Sequence, residues 1–145
     1  MPRDSLPVTV QEGDWQALGE IASHIRRVVF IDEQQVPQDE EWDGQDPACH
    51  HFLAYLDGNP VGTARLLPDG HIGRVAVLAE ARGTGIGGQL MAAAIATAQR
   101  VGHPQVVLSS QLHALAFYER LGFVAHGETF MDAGIPHREM TLTFS

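Results

Sequence analysis

The chain has 145 residues, 44% of them apolar, enough for one hydrophobic core, and it is expected to form a single domain over residues 1–145. The formal charge is -9 and the nine basic residues are all arginines dispersed along the sequence, which argues against a nucleic-acid partner because no basic face can be assembled. A lone cysteine, Cys49, cannot close an internal disulfide and suits a reducing cytoplasm, and no segment reads as a signal peptide or membrane span.

In chain order, residues 6–11 read as a short first strand. Asp14 is placed to cap a helix that runs to about Glu33, with Trp15, Leu18, Ile21, Ile25, Val28 and Val29 on one stripe. Pro37 ends it, and the polar segment 38–48 is an irregular loop of the kind that carries specificity. Residues 51–56 and 61–67 are expected strands joined through Asp57-Gly58-Asn59-Pro60, and Pro68-Asp69-Gly70 turns the chain into a third strand at 71–78. A helix over 85–101 follows, burying Ile86, Leu90, Ala94, Ile95, Ala98 and Val101. Further strands are expected at 105–109, 123–126 and 138–144. Antiparallel strands, a crossover helix and another strand imply an α/β chain of α+β type with a mixed, mostly antiparallel sheet.

The stretch Arg82-Gly83-Thr84-Gly85-Ile86-Gly87-Gly88 joins the third of these sheet strands to the long helix. Glycines let the backbone approach a ligand closely, and the free N–H groups and dipole of a helix start favour an anion, so this is a candidate phosphate site. Arg82 adds a fork suited to phosphate oxygens. No lysine follows the glycines, which excludes a Walker A loop, and the glycine spacing with Gly102-His103-Pro104-Gln105 about 20 residues on excludes a dinucleotide fingerprint. The pattern is Arg-x-x-Gly-x-Gly. Beyond the next strand comes a second pattern, Ala114-x-x-Phe117-Tyr118-x-x-x-Gly122-Phe123.

These two patterns, in this order and separation, resemble the pyrophosphate loop of the GNAT acetyltransferase superfamily and the signature that follows its fifth strand. The N-terminal segments Val29 to Pro37, Glu41-Trp42-Asp43 and His50-His51, with the tail Gly127 to His137, are similar to the bacterial ElaA-like and YjcF-like subgroup. The resemblance implies a GNAT fold with splayed central strands. It also implies acetyl-CoA as co-substrate and transfer of the acetyl group to a primary amine of a small molecule by direct attack in a ternary complex. Val75 and Val77 would offer backbone groups to the pantetheine arm and the thioester oxygen, and residues Arg82, Gly83, Thr84, Gly85, Ile86, Gly87 and Gly88 would hold the pyrophosphate. Gln111 stands where many members have an asparagine that contacts the pantetheine. Tyr118 would donate a proton to the leaving sulfur, with ring packing as its other reading.

Many members place a base glutamate on the fourth strand, whereas this chain has Arg74 there and no carboxylate between His71 and Leu78. Glu33 is then the first candidate base, with Glu41, Asp43 and His51 behind it and water as the remaining route. Glu41, Asp43, His51 and His137 are candidates for the acceptor pocket. No metal is expected, since adjacent His50 and His51 on a strand face opposite sides. Ser109-Ser110 lacks the elbow of a serine hydrolase. Amino-sugar or peptide amine acetyltransferases, and a CoA-binding sensor without turnover, are the rival readings. A homodimer is common among similar folds, but no residue here shows one.

Overall fold

The computed structural model describes residues 7–145, so Leu6, the expected start of the first strand, lies outside the described residues. Strand β1 spans Val8–Gly13 and helix α1 spans Trp15–Arg26. The Asp14 carboxylate accepts the Ala17 N–H at 2.8 Å, satisfying a donor that the helix itself cannot. The expected helix to Glu33 is not uniform. Over Arg27–Glu33 it widens into a π-helical turn, and the Gln34 N–H bonds Val29 O at 3.1 Å. No periodicity in the sequence marks this change of pitch. It ends the helix with Glu33 and Gln34 beside the strand ends rather than on a continued α-helical path.

A short helix α2, Gln38–Glu41, and a 3-10 turn at Asp46–Ala48 order part of the expected loop. Strands β2 (His50–Leu56), β3 (Asn59–Leu66) and β4 (Ile72–Val77) extend β1 into a sheet of order β1-β2-β3-β4, antiparallel throughout. The β2–β3 hairpin turns on Asp57 and Gly58, both at positive φ, the geometry that matches strand twist. Helix α3 (Ile86–Arg100) crosses over to β5 (Gln105–Gln111), then α4 (Leu115–Arg120) leads to β6 (Val124–Asp132) and β7 (Ile135–Thr143). These last strands form a second sheet of order β5-β7-β6. Strands β6 and β7 are longer than expected, because Ala133 and Gly134 at positive φ close a tight hairpin where the sequence suggested a broad turn. The two sheets are joined by one parallel bridge, His71 to Val107, and part beyond it.

Alternation along β2 explains the layering. Phe52 and Ala54 face α3, while Leu53 faces α1 with Ala76 of β4. On α1 the buried stripe is Leu18, Ala22, Ile25 and Val29, and Ile21, expected on it, is exposed. On α3 the buried face is Ile86, Leu90, Met91, Ala94, Thr97 and Ala98, whereas Val101 lies exposed past the helix end. Full burial of side chains such as Phe52, Leu66 and Leu90 stabilises the fold by about 1.5–3 kcal/mol each. Gly62 lets α3 sit close to β3, since a Cβ there would stand 3.0 Å from Leu90 Cδ1 and 3.2 Å from Ala76 O. That contact sets the height of the α3 N-terminus above β4.

Candidate active site

The loop between β4 and α3 opens with a 3-10 turn at Ala79–Ala81 and a hydrogen bond from the Thr84 hydroxyl to Ala81 O. Gly83 and Gly85 adopt φ of 81° and 82°, a left-handed conformation that costs glycine little and other residues more. The first helical bond is the Gln89 N–H to Gly85 O at 3.1 Å, so the amides of Ile86, Gly87 and Gly88 precede any helical acceptor. The fork of Arg82 is already engaged. It binds Glu33 through two prongs, at 2.7 and 2.8 Å, and its Nε donates to Val77 O at 2.9 Å. Hydrogen bonding by Arg82 holds the Glu33 carboxyl below its ordinary value. Glu33 is therefore a clamp on the loop, and as a proton acceptor it is weakened by the same contact.

Strand β4 carries a bulge. Arg65 pairs with Gly73 and Thr63 with Ala76, so Arg74 and Val75 together oppose one residue of β3. Arg74 sits at φ 52°, an unusual value for a residue with a Cβ, and such strain persists where surroundings over-determine it. Its guanidinium supplies that determination: Nη2 donates to Glu40 O at 3.2 Å and Glu41 O at 3.1 Å, and Nε lies 3.2 Å from Glu41 Oε1.

Arg74 belongs to a buried ionic network that also holds the 38–48 loop. Arg26 donates to Glu41 at 2.6 Å and to Asp46 at 2.7 Å, and Arg65 donates to Asp46 at 2.9 Å and grips Asp43 with both terminal nitrogens. Three guanidinium groups meet three carboxylates, so the buried charge is compensated. Hydrogen bonds from Arg65 hold Asp43 well below the usual carboxylate range. Burial alone would raise Asp46, but hydrogen bonds from Arg26 and Arg65 outweigh it and hold it low as well. Glu41 and Asp43, expected as acceptor-pocket or base residues, do line the cleft, but as arginine-paired carboxylates.

The cleft itself has a volume of about 450 Å³ and opens between β4 and β5. Val75, Gln111, Tyr118 and His137 line it together with the ionic network. Val77 does not line it, and its carbonyl is taken by Arg82. Gln111 at the end of β5 donates to the Gln34 side chain at 2.9 Å, joining the π-helical turn to the second sheet. The Tyr118 ring meets Phe117 and Phe123 edge-on, with centroids 4.9 and 6.0 Å away. Burial pushes its phenol up to about 12, so it is a neutral O–H donor at physiological pH.

His51 stands elsewhere. Its ring is buried against Trp15, 4.8 Å between centroids, and its Nε2 bonds Asp46 O at 2.8 Å, a structural position behind the network. Burial pushes its pKa down. His50, on the opposite face of β2, lies 3.3 Å from Glu12. The Cys49 thiol is buried, is raised by that burial, and lies outside the cleft. Arg26, Arg65 and Gln34 were not singled out by the sequence, because contacts among residues this far apart leave no local pattern.

A parted sheet with a left-handed glycine loop at one strand end and a tyrosine-bearing helix at the other is a configuration that known proteins share. The family of the acetyltransferase (GNAT) domain matches residues 21–144 of the sequence. The chain belongs to the GNAT acetyltransferase family. It is 37% identical over 123 residues to the Bacillus subtilis protein named as the uncharacterized N-acetyltransferase YjcF, covering 82% of this chain and 88% of that one. The structure of an acyl-CoA N-acyltransferase from Pseudomonas aeruginosa superposes with a TM-score of 0.77 at 36% identity, covering 94% of this chain and 99% of that one. Escherichia coli ElaA superposes with a TM-score of 0.82 at 28% identity, covering 93% and 99%. The protein is an acyltransferase of the ElaA/YjcF-like GNAT subgroup. In this GNAT chain the strand position that many members give to a glutamate is held by Arg74, which the bulge and the ionic network fix in place.

Proposed function

We propose that the chain moves an acetyl group from acetyl-CoA to the primary amine of a small molecule, by direct attack within a ternary complex. The observation that carries this reading is the parting of β4 from β5 past the His71–Val107 bridge. It leaves two strand edges whose backbone groups an extended pantetheine arm can use as an added strand would. The residues present fit the co-substrate. At Gly83 and Gly85 an added Cβ would meet nothing within 4 Å, so the loop is open to approach by pyrophosphate oxygens, and the amides up to Gly88 are there to receive them.

Acetyl-CoA supplies an acyl carbon already activated as a thioester. The Val75 amide, at the bulge, is the donor for the carbonyl oxygen as it gains charge, and Gln111 orients the arm through its side-chain amide. Tyr118 donates a hydrogen bond to the leaving sulfur. A phenol near 12 is more than three units weaker as an acid than an ordinary thiol at about 8.5, so the phenol proton moves to sulfur only as it is replaced by the surplus proton on the newly acylated nitrogen. Cys49, the one thiol of the sequence, is buried outside the cleft, so the cleft offers no cysteine to form an acyl-enzyme. A cytoplasmic setting suits the free, buried thiol.

A second reading, a CoA-binding module without turnover, draws on the pairing of Glu33, Glu41 and Asp43 with arginines. Calorimetric titration with acetyl-CoA and CoA, followed by thiol release across a panel of alkylamines, amino sugars and peptide amines, separates the two. One-site binding with turnover on a small alkylamine is the expected result. Binding without turnover on any amine selects the module, and absence of binding at millimolar acetyl-CoA sinks both.

A further inference from the structure

Resting on the transferase reading above, we propose that His137 is the general base that takes the proton from the ammonium form of the acceptor. Its Nδ1 lies 2.7 Å from the Ile135 carbonyl oxygen. A carbonyl only accepts, so Nδ1 carries the hydrogen and the lone pair of the neutral ring is on Nε2. That nitrogen has no hydrogen-bond partner among the described residues, nor is it among their buried, unpartnered polar atoms, so it keeps accessible surface, and His137 lines the cleft. The ring is held there by its own strand and by Phe130, which stacks on it at 5.9 Å and 25°. His137 pairs across β5 with Gln111, at the strand end where the two sheets part.

The other base candidates named from the sequence are engaged or misplaced. Glu33, Glu41 and Asp43 are bound by arginines, and His51 does not reach the cleft. Basicity points the same way. Proton transfer from an alkylammonium near 10.4 is uphill by about four units to an imidazole and about six to a carboxylate. Water then carries the proton out from a histidine more readily than it accepts it directly from the amine.

The step balances. RNH3+ gives one proton to Nε2, the neutral nitrogen forms the C–N bond, and the C–S bond breaks. The second nitrogen proton is relayed through Tyr118 to sulfur, and the imidazolium releases its proton to solvent. The charged and titratable groups sharing the cleft with His137 come from every side of it. Tyr118 of α4 is neutral, Glu40, His71, His113 and Asp132 of β6 also line the cleft, and Glu139 on the same strand, outside that lining, is bonded by the Ser109 hydroxyl at 2.6 Å. The arginine network of β3, β4 and the 38–48 loop faces it as a charge-balanced wall.

Two measurements test this on the intact protein. In 15N-histidine-labelled protein, with the signal assigned through H137Q, the neutral ring of His137 is expected to carry its hydrogen on Nδ1. A hydrogen on Nε2 overturns the proposal. With the best alkylamine of the panel, H137Q is expected to lower kcat by about 10²-fold or more, to lose the ascending histidine-range limb of the pH profile, and to regain part of the rate with added imidazole. An unchanged limb, or a change in acceptor KM alone, also overturns it. Unaltered acetyl-CoA affinity in H137Q reports an intact fold, whereas loss of acetyl-CoA binding by the unsubstituted protein would count against the transferase reading itself.

Discussion

Arg82 and Glu33 face each other across 49 residues of sequence in a two-pronged ion pair, at 2.7 and 2.8 Å, which ties the end of the first helix to the glycine loop. The carboxylate therefore competes for the guanidinium that a pyrophosphate would use. Replacing Glu33 with Gln is expected to tighten acetyl-CoA binding several-fold, and Arg82→Ala to weaken it by about tenfold, or about 1.4 kcal/mol. Both effects shrink at high salt, because the pair is half exposed. Equal calorimetric affinities for the parent protein and both variants would remove Arg82 from the cofactor site.

Tyr118→Phe keeps the ring contacts with Phe117 and Phe123 and deletes only the hydroxyl. The expected result is a loss of about 10²-fold in kcat with the acetyl-CoA Kd within about twofold. A parallel loss of affinity and turnover in steady-state and binding assays would mark the residue as packing alone.

Asp46 is the shared acceptor of Arg26 and Arg65. Asp46→Ala leaves three guanidinium groups facing two carboxylates, with Arg26 keeping only Glu41 and Arg65 only Asp43, and is expected to cost about 3 kcal/mol, read as a lower urea midpoint at pH 7. Arg26→Met with Glu41→Leu, which removes both members of one pair, is expected to cost less than either change alone.

Acid stability follows from the same carboxylates. Asp43 and Asp46 have folded-state values below their ordinary ones, so the unfolded chain binds more protons near pH 4. The stability they contribute is fully present above about pH 4 and is lost as pH falls through their lowered folded values. Urea unfolding followed from pH 7 to pH 2 should show a decline that Asp43→Asn makes shallower. Identical slopes in both proteins would contradict the pairing.

Gly62→Val would drive a side chain into Leu90, Ile86 and the Ala76 carbonyl, all within 3.2 Å of the Cβ position. A loss of about 1–3 kcal/mol is expected, with weaker acetyl-CoA binding because α3 and its N-terminal amides must lift from the sheet. Full affinity in the folded variant would show that the height of α3 does not matter to the loop.

What could be read from the sequence was local. The glycine loop, α3 and the Phe117-Tyr118 helix each lie within a continuous stretch whose spacing is the signal. The GNAT kinship was legible in the first and last of these, while the ElaA/YjcF-like likeness lay in the segments from Val29 to His51 and the tail Gly127 to His137. The π-helical turn at Arg27–Glu33 escaped because one apolar stripe fits either helical pitch over seven residues. The ionic network escaped because Arg26, Arg65 and Arg74 come from three different elements and meet only in the fold. His51 is a base and pocket candidate in the sequence, yet its place on β2 turns it toward Trp15 and outside the cleft lining. The β4 bulge was equally silent, since positive φ at an arginine has no compositional mark.

An open strand edge is ordinarily a hazard, because any other polypeptide can add to it. The single bridge between His71 and Val107 leaves two such edges, but they face each other across a cleft of about 450 Å³, the scale of a small-ligand pocket. The 38–48 loop, fastened by the arginines, and the Gln34–Gln111 bond stand over it. The unpaired backbone that the proposed thioester co-substrate would use is thus kept away from other chains. The interrupted sheet serves as a guarded slot, and loosening that guard, by Asp43→Asn or Gln34→Ala, would trade selectivity for a surface prone to self-association.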